Sequence, residues 1–386
     1  MEPIATLIEH GEVYAPAPTS ARSLLIVNGV IARVGDVDRR ALAALGLDVD
    51  VIDARGCVVT PGLIDPHEHL IGGSGERGFA SRTPEVFLRE LVAAGITTVV
   101  GALGVDTTTR TPADLLAKVK ALRAEDLSAF MWSGGYDVPP VTLLGSVRRD
   151  IIFIDEVIGA GEIAIADLRS TQPSGAELAR IVADAYVGGL LTGKAGVTHF
   201  HVGDGRARLA PLRALLDEHD IEPRCLYASH VERTPELLTE AAAITRRGVY
   251  VDIDTVGDDL LESIDAFTSD GGDLSRLTVS SDASITPPRQ RFDQLCRCAA
   301  SPRWPVERWL PLVTANVAEV LKLARKGRLQ PGADADIVVL RRDTLQLRHV
   351  VSRGQVLMRD GALTRRERFL QDSSRRIELH GEQEKS

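Results

Sequence analysis

The stretch Leu63-Ile-Asp-Pro-His-Glu-His69 marks the point at which the chain changes from short strands and turns to a regular alternation of elements. From Leu63 onward, short apolar runs alternate with longer segments of helical period, and several of those segments open with proline, which the first turn of a helix tolerates. Such alternation favours parallel strands. The predicted strands are residues 63–69, 97–102, 128–132, 162–168, 197–201, 226–230, 249–253 and 277–282.

Eight strand–helix units predict an α/β fold in which a TIM-like (β/α)₈ barrel closes on itself. An open, doubly wound sheet is the alternative, because periodicity does not distinguish an open sheet from a closed one. The predicted helices are residues 84–94, 112–124, 175–187, 206–219, 235–247 and 259–270, with 289–299 and 306–324 after the eighth strand.

Both ends of the chain carry short strands outside this alternation. Asn28-Gly29 separates two apolar runs and is typical of a hairpin turn. Strands of similar length return after residue 335, so we expect both ends to pair into one small β-sandwich domain. The predicted division is 1–60 and 326–364 for the sandwich, 61–325 for the barrel, and 365–386 for a charged, mobile tail.

Composition excludes several classes of partner. The chain has 386 residues, 44% of them hydrophobic, and a formal net charge of −9, so the basic stripe of a nucleic-acid-binding protein is missing. No apolar stretch is long enough to predict a membrane span. Four cysteines without a Cys-x-x-Cys pair, and an N-terminus unlike a signal peptide, favour a cytoplasmic protein with reduced thiols. We expect a small-molecule partner.

Histidines and an aspartate stand at the ends of four predicted strands. His67 and His69 are two residues apart and therefore face the same side of a strand. His201, His230 and Asp282 end the fifth, sixth and eighth strands. Side chains at the C-terminal strand ends of a barrel gather at one face, which is where such barrels carry their catalytic groups. The pattern predicts a metal site there.

Glu162 and His199 each allow two interpretations. Glu162 begins the fourth predicted strand, where its carboxylate can bridge two metal ions; the alternative is an exposed residue at a helix-to-strand junction. His199 shares the face of His201 but lies deeper, and we expect it to be a buried, hydrogen-bonded histidine rather than a ligand.

Three motifs resemble the amidohydrolase superfamily. Pro61-Gly-Leu-Ile-Asp-Pro-His-Glu-His resembles its first barrel strand, Gly95-Ile-Thr-Thr-Val-Val its second, and Gly332-Ala-Asp-Ala-Asp-Ile-Val-Val-Leu its C-terminal sandwich segment. Within that superfamily the chain resembles the isoaspartyl (β-aspartyl) dipeptidases. The ordered local matches include Gly72-Gly-Ser-Gly-Glu-Arg, Gly134-Gly-Tyr-Asp-Val-Pro, Asp167-Leu-Arg-Ser, Phe200-His-Val-Gly-Asp, Ser229-His-Val-Glu-Arg and Val279-Ser-Ser-Asp.

The resemblance implies two divalent metal ions. His67, His69 and Asp282 would hold one ion, and His201 and His230 the other. Zinc suits these ligands, although manganese or cobalt would also fit. The family usually bridges its ions with a carboxylated lysine where Glu162 stands. Because glutamate is shorter, we expect the start of that strand to lie further inward.

The resemblance also assigns residues to the substrate. Tyr136 matches the tyrosine that polarises the scissile carbonyl, while Glu76, Arg169 and Arg233 match residues that recognise charged groups. Gly75, Val105 and Thr286 complete the expected substrate contacts. Val105 and Thr286 stand where the family typically has threonine and serine, so the fine specificity is open.

The implied activity is hydrolysis of β-aspartyl dipeptides to aspartate and an amino acid, with a metal-bridged hydroxide as nucleophile and Asp282 as general base and acid. The resemblance also implies a homo-oligomer, an octamer in that family. Three alternatives remain: another amidohydrolase such as a D-aminoacylase, dihydroorotase or imidase, a single-metal deaminase, and a non-enzymatic scaffold. The preferred leaving residue, leucine-like or basic, is open.

Overall fold

The computed structural model describes residues 4–44, 46 and 48–377. The N-terminal segment is built from short strands and one short helix, and the predicted hairpin is confirmed: Asn28 and Gly29, both with positive φ, join the third and fourth strands. The elements are β1 (Ala5–Glu9), β2 (Glu12–Val13), β3 (Ser23–Val27), β4 (Val30–Val34), α1 (Arg39–Ala44), β5 (Val49–Asp53) and β6 (Cys57–Pro61).

Eight parallel strands follow in sequence order and form the barrel, as predicted. A parallel bridge between Glu68 and Ala283 joins the first barrel strand to the segment after the eighth, so the open-sheet alternative is wrong. The strands are β7 (Leu63–Glu68), β8 (Ile96–Gly101), β9 (Ser128–Ser133), β10 (Val157–Ile165), β11 (Val197–Val202), β12 (Leu226–Ser229), β13 (Tyr250–Ile253) and β14 (Leu277–Val279).

The fourth barrel strand begins earlier than predicted. β10 starts at Val157, so Glu162 lies inside the strand instead of beginning it, at an irregularity in the pairing with β11. Gly159 and Gly161 both lie inside β10. A Cβ at Gly159 would come within 2.8 Å of the Trp132 ring, so these glycines permit close packing inside a strand.

Helices alternate with the strands and cover the outside of the barrel. They are α2 (Leu88–Ala93), α3 (Pro112–Ala124), α4 (Val147–Phe153), α5 (Gly175–Thr192), α6 (Ala210–Glu218), α7 (Pro235–Thr245), α8 (Leu260–Ser269), α9 (Arg289–Ala299), α10 (Val306–Trp309) and α11 (Ala315–Val320). The prediction missed the short α4. It also joined α10 and α11, which a 3₁₀ turn at Leu310–Val313 separates, since Pro311 cannot donate an α-helical bond.

A buried ion pair between Asp65 and Arg291 supports the closure of the barrel. Asp65 Oδ1 accepts hydrogen bonds from the backbone N–H of His67 at 3.3 Å and of Ser281 at 3.2 Å, and so joins β7 to the segment after β14. Arg291, sent inward from α9, donates to the carbonyls of Ile64 and Val279 on the same two strands. The ends that carry His67 and Asp282 are thereby fixed to each other.

The C-terminal strands complete the β-sandwich from both chain ends, as predicted. They are β15 (Ile337–Arg341), β16 (Leu347–Ser352), β17 (Gln355–Arg359) and β18 (Ala362–Leu363). β15 pairs with β6, and one sheet runs β18-β17-β16-β15-β6-β2, while the other runs β4-β3-β1-β5. Side chains of β15 alternate: Ile337 and Val339 face the core of the sandwich, and Val338 and Leu340 face the core of the barrel.

The Gly332-Ala-Asp-Ala-Asp motif attaches the sandwich to the barrel. Lys326 is buried and forms ion pairs with Asp334 at 2.9 Å and Asp336 at 2.5 Å. The same ammonium group donates to Ser128 Oγ at 2.7 Å, at the start of β9. One lysine therefore ties the motif to the barrel wall.

The segment after residue 364 divides into two parts. In the part that is described, Glu367 accepts hydrogen bonds from the Arg89 side chain of α2, and Leu370 is buried. Residues 378–386 of the predicted mobile tail lie outside the described residues. The predicted domain limits stay a prediction.

Within the described residues, no helix combines the length and apolar character that crossing a membrane demands.

Candidate metal centre

The predicted ligands come together at the C-terminal ends of the barrel strands. His67 and His201 lie near the ends of β7 and β11, whereas His230 and Asp282 follow β12 and β14. His230 has φ 63° and Asp282 φ 47°, in the left-handed region that residues with side chains seldom adopt. Such conformations persist where the surroundings impose them, and they are concentrated at functional sites.

Glu162 lies at the centre of this group and is fully buried. Its Oε2 lies 2.9 Å from His67 Nε2, and its Oε1 lies 2.7 Å from His201 Nδ1. The same Oε1 is 3.4 Å from His230 Nε2. The two carboxylate oxygens therefore face histidines from three different barrel units, a position from which Glu162 could contact two metal ions.

A second group of donor atoms shares His67. Asp282 Oδ1 lies 3.1 Å from His69 Nε2 and 3.5 Å from His67 Nε2. Although it is buried, Asp282 Oδ1 makes no hydrogen bond with either ring. In this group, as in the group of His67, Glu162 and His230, the candidate ligand atoms all lie within 4.8 Å of one another.

The electrostatics of these groups fit divalent cations. Burial alone would lower the pKa of His67, but the charges of Glu162 and Asp282 outweigh it and raise that pKa to about 10. Burial opposes ionisation of Glu162, yet the neighbouring histidines hold its pKa well below the ordinary value. The negative charges of Glu162 and Asp282 thus favour a positive charge in this group. A bound metal ion would supply that positive charge, and imidazole and carboxylate are suitable ligands for zinc.

The outer ring nitrogens of two histidines contact carboxylates. His201 Nε2 lies 2.9 Å from Asp167 Oδ2, and His230 Nδ1 lies 2.6 Å from Asp254 Oδ2. Metal-binding histidines are commonly oriented in this way. The sequence analysis missed both aspartates as partners of the ligands. Asp254 directly follows β13, so the strand-end rule that identified His201 would have found it.

His199 is buried, as expected, and lies beneath the ligands. Its Nε2 is 3.2 Å from His67 Nδ1, and its ring stacks on Trp132 with a centroid separation of 5.0 Å. Trp132 Nε1 in turn donates to the carbonyl of Pro66 at 3.1 Å. His199 and Trp132 therefore support His67 on the side that faces the barrel interior.

Tyr136 reaches the same group from the loop after β9. Its hydroxyl lies 2.7 Å from His201 Nδ1, and its ring lies under the Arg169 guanidinium, 5.2 Å away. Burial raises the pKa of Tyr136 well above 10, so the hydroxyl keeps its proton at neutral pH. A tyrosine in this state can donate a hydrogen bond.

Charged side chains lie above the candidate ligands. Arg169 Nη1 is 3.1 Å from Glu76 Oε1, and Arg233 Nη1 is 3.2 Å from His201 Nε2. Although burial opposes it, hydrogen bonds from His201 and Arg169 hold the pKa of Asp167 well below the ordinary range. The cations of Arg169 and Arg233 and the exposed acid of Glu76 therefore lie next to the buried donor atoms.

The cavity at this mouth includes most of the expected substrate contacts. It is lined by His69, Gly73, Ser74, Glu76, Leu103, Val105, Asp106, Arg110, Tyr136, Arg169, His201, Arg233, Val256, Asp282, Ser284 and Ile285. Gly75 and Thr286 stand beside lining residues and do not line the cavity themselves. Ser284 and Ile285, which directly precede Thr286, line the cavity.

Residues 58–357 match the sequence model of the Amidohydrolase family. Among solved structures, the β-aspartyl dipeptidase of the thermophilic, keratin-degrading Fervidobacterium islandicum AW-1, in complex with the β-Asp-Leu dipeptide, is 34% identical with a TM-score of 0.90. That similarity covers 95% of this chain and 99% of the other.

More distant similarities concern the fold or a short segment. An enamidase structure at 16% identity covers 94% of this chain and 98% of the other, with a TM-score of 0.67, and shows the fold alone. The imidazolonepropionase of Geobacillus kaustophilus is 43% identical over 76 residues, 19% of this chain. The chain spans only 18% of the length of that curated relative.

Proposed function

The chain belongs to the amidohydrolase family, and from that premise we propose that it hydrolyses β-aspartyl (isoaspartyl) dipeptides to aspartate and an amino acid. The observation that carries this proposal is the placement of Glu76 and Arg169 side by side, 3.1 Å apart, above the buried donor atoms. An isoaspartyl unit carries its free ammonium and carboxylate on one carbon, so its two partners must be neighbours.

Members of this family use divalent metals, and the donor set described above suits them. We propose two zinc ions, one held by His67, His69 and Asp282 and one by His201 and His230, with Glu162 between them in place of a carboxylated lysine. When bound, such ions act as Lewis acids and make water nucleophilic at neutral pH.

The residues of the chain have separate tasks in this proposal. Asp282 takes a proton from the attacking water and passes it to the leaving amine. The Tyr136 hydroxyl donates to the carbonyl oxygen as negative charge develops there. Arg169 and Arg233 hold the α-carboxylate, and Glu76 holds the α-ammonium.

A substrate screen tests the proposal. Zinc-loaded protein is assayed on β-Asp-Leu, on β-Asp-Arg and on the α-linked isomers, with zinc counted per chain. We expect cleavage of the β-linked dipeptides alone and two zinc ions per chain. Equal rates on α- and β-linked isomers would remove the isoaspartyl assignment. The apolar Val105, Val256 and Ile285 of the lining favour leucine over arginine as the leaving residue.

A second candidate is hydrolysis of an N-acyl amino acid or a cyclic amide. The local similarity to imidazolonepropionase favours it. Arg169 and Arg233 suit any carboxylate, but Glu76 beside Arg169 suits an α-ammonium, which N-acyl amino acids and dihydroorotate lack. Adding dihydroorotate and N-acetyl-D-amino acids to the screen separates the two candidates.

The octameric assembly and the cytoplasmic location stay proposals. Light scattering of the purified protein tests the octameric assembly.

A further inference from the structure

Asp167 lies between His201, a candidate metal ligand, and the arginines Arg169 and Arg233, which we call the candidate substrate clamp. Its Oδ1 accepts from Arg169 Nε at 2.9 Å and its Oδ2 from Arg169 Nη2 at 2.7 Å, which is a two-point pairing with the guanidinium. Its Oδ2 is also 2.9 Å from His201 Nε2 and 3.7 Å from Arg233 Nη1. One carboxylate thus contacts three groups of the site.

The local structure holds this carboxylate in place. Asp167 is buried, and its Oδ1 also accepts from the Arg169 backbone N–H at 2.7 Å. Gln172 Nε2 donates to the Asp167 carbonyl at 2.7 Å. Gly203 leaves the space that Asp167 needs, because a Cβ there would come within 2.5 Å of the Asp167 Cβ. Both carboxylate oxygens are engaged, so Asp167 has no free acceptor to offer a substrate.

We propose that Asp167 is a positioning residue that couples metal binding to recognition of the substrate carboxylate. Its contact with His201 Nε2 orients the ring so that Nδ1 faces Glu162 Oε1, 2.7 Å away, among the candidate ligands. Its two bonds to Arg169 fix the plane of the guanidinium above the pocket. The substrate half of this inference rests on the proposed function, whereas the metal half does not.

Asp254 provides a matched control. It is also a buried aspartate that contacts the outer nitrogen of a ligand histidine, with Asp254 Oδ2 2.6 Å from His230 Nδ1. Its Oδ1 accepts from the Val256 N–H at 2.8 Å. Within residues 4–44, 46 and 48–377, none of its hydrogen bonds or ion pairs involves an arginine. Asp254 should therefore support its metal ligand without acting on the clamp.

The test compares Asp167→Asn with Asp254→Asn in the full chain. Zinc affinity is measured by competition with a chromogenic chelator, and KM and kcat are measured on β-Asp-Leu at saturating zinc. We expect both variants to bind zinc about 10–100-fold more weakly. Only Asp167→Asn should also raise KM, by about tenfold or more, because Arg169 loses its two-point partner.

Each outcome decides one half of the proposal. Unchanged zinc affinity in Asp167→Asn would overturn the metal half, and an unchanged KM, or an equal rise in Asp254→Asn, would overturn the coupling. If the unsubstituted protein does not cleave β-Asp-Leu, the proposed function fails separately, and calorimetric binding of L-aspartate replaces KM. If Asp167→Asn does not fold, Asp167→Glu keeps the charge, displaces it by one methylene, and should show smaller losses in both measurements.

Discussion

The mouth of the barrel buries polar and charged side chains, whereas the core of the β-sandwich buries apolar ones. The sandwich core is almost entirely aliphatic, with Leu24, Ile31 and Val339 fully buried. At the mouth, His67 and Glu162 are buried to the same extent, although burying an unpaired charge is costly. The two side chains contact each other, so the carboxylate of Glu162 has an imidazole as its partner. The difference indicates that the sandwich supplies stability, whereas the mouth accepts a cost in stability for chemistry.

Replacing the central carboxylate, Glu162, should have the largest effect on the chemistry of the barrel mouth. Glu162→Gln keeps the shape of the side chain but removes the charge that faces three histidines. We expect zinc content to fall below two ions per chain and kcat on β-Asp-Leu to fall on the order of 10³-fold, since metal assistance is worth several kcal/mol. Elemental analysis and initial rates measure both.

Glu68→Gln is the control for Glu162→Gln. Glu68 is equally buried, on the barrel strand β7, but belongs to neither group of candidate ligands. Burial, with Asp65 close to it, raises the pKa of Glu68 well above its ordinary value and so favours the protonated form, which glutamine resembles. Zinc content and kcat should stay near those of the unsubstituted protein. Equal losses in the two variants would mean that any buried carboxyl change disrupts the mouth.

Removing one hydroxyl from the mouth should have the next largest effect. Tyr136→Phe keeps the ring that lies under Arg169 but removes the donor next to His201. We expect kcat on β-Asp-Leu to fall roughly 10²–10³-fold, as for other lost oxyanion donors. KM and zinc content should change little. A fall in zinc content would instead give Tyr136 a role in holding His201.

A cavity in the sandwich should reduce stability and leave the chemistry intact. Leu24→Ala empties a fully buried position of β3 and should cost about 2–5 kcal/mol of unfolding free energy. Differential scanning calorimetry measures the loss of Tm, and kcat is measured on folded protein at 25 °C. Leu24→Met, which nearly conserves volume, should cost less than about 1.5 kcal/mol. A tenfold fall in kcat for Leu24→Ala would show that the two regions are coupled.

The same contrast explains which features the sequence predicts. The ligands are predictable because the strand period places His67 and His69 on one face, and barrel topology gathers His201 and His230 at the same end. These are short-range patterns combined with one rule of topology. The sandwich is predictable because apolar alternation returns after residue 335, as β15 confirms.

The features that the sequence did not reveal depend on contacts between distant residues. Asp65 and the Ser281 N–H are 216 positions apart, and no local pattern marks their bond. The early start of β10 was hidden because a glycine that permits close packing looks like a glycine in a turn. Asp167 was quoted as part of a motif, but its contact with His201 exists only once β10 and β11 are paired.

A buried histidine in the sandwich should give the smallest effect, and one that depends on pH. Burial lowers the pKa of His349 to about 4, although Asp360 opposes the shift. The charged groups around it are Arg348, Arg359, Asp360 and Asp50. The unfolded chain takes up a proton near pH 6.5, whereas the folded chain does so only near pH 4. Stability is therefore complete above pH 6.5 and is lost as the pH falls toward 4.

His349→Asn isolates this contribution, because asparagine can still accept the hydrogen bond from the Asp360 N–H but does not titrate. Metal-free protein is used, so that loss of zinc in acid does not interfere. Between pH 7.5 and 5.0 the unsubstituted protein should lose about 1 kcal/mol more unfolding free energy than the variant, allowing for solvent screening, which is a difference of a few degrees or less in Tm. An equal acid-induced loss in both proteins would assign the pH dependence to the histidines and carboxylates of the barrel mouth, and the sandwich would then be indifferent to pH over this range.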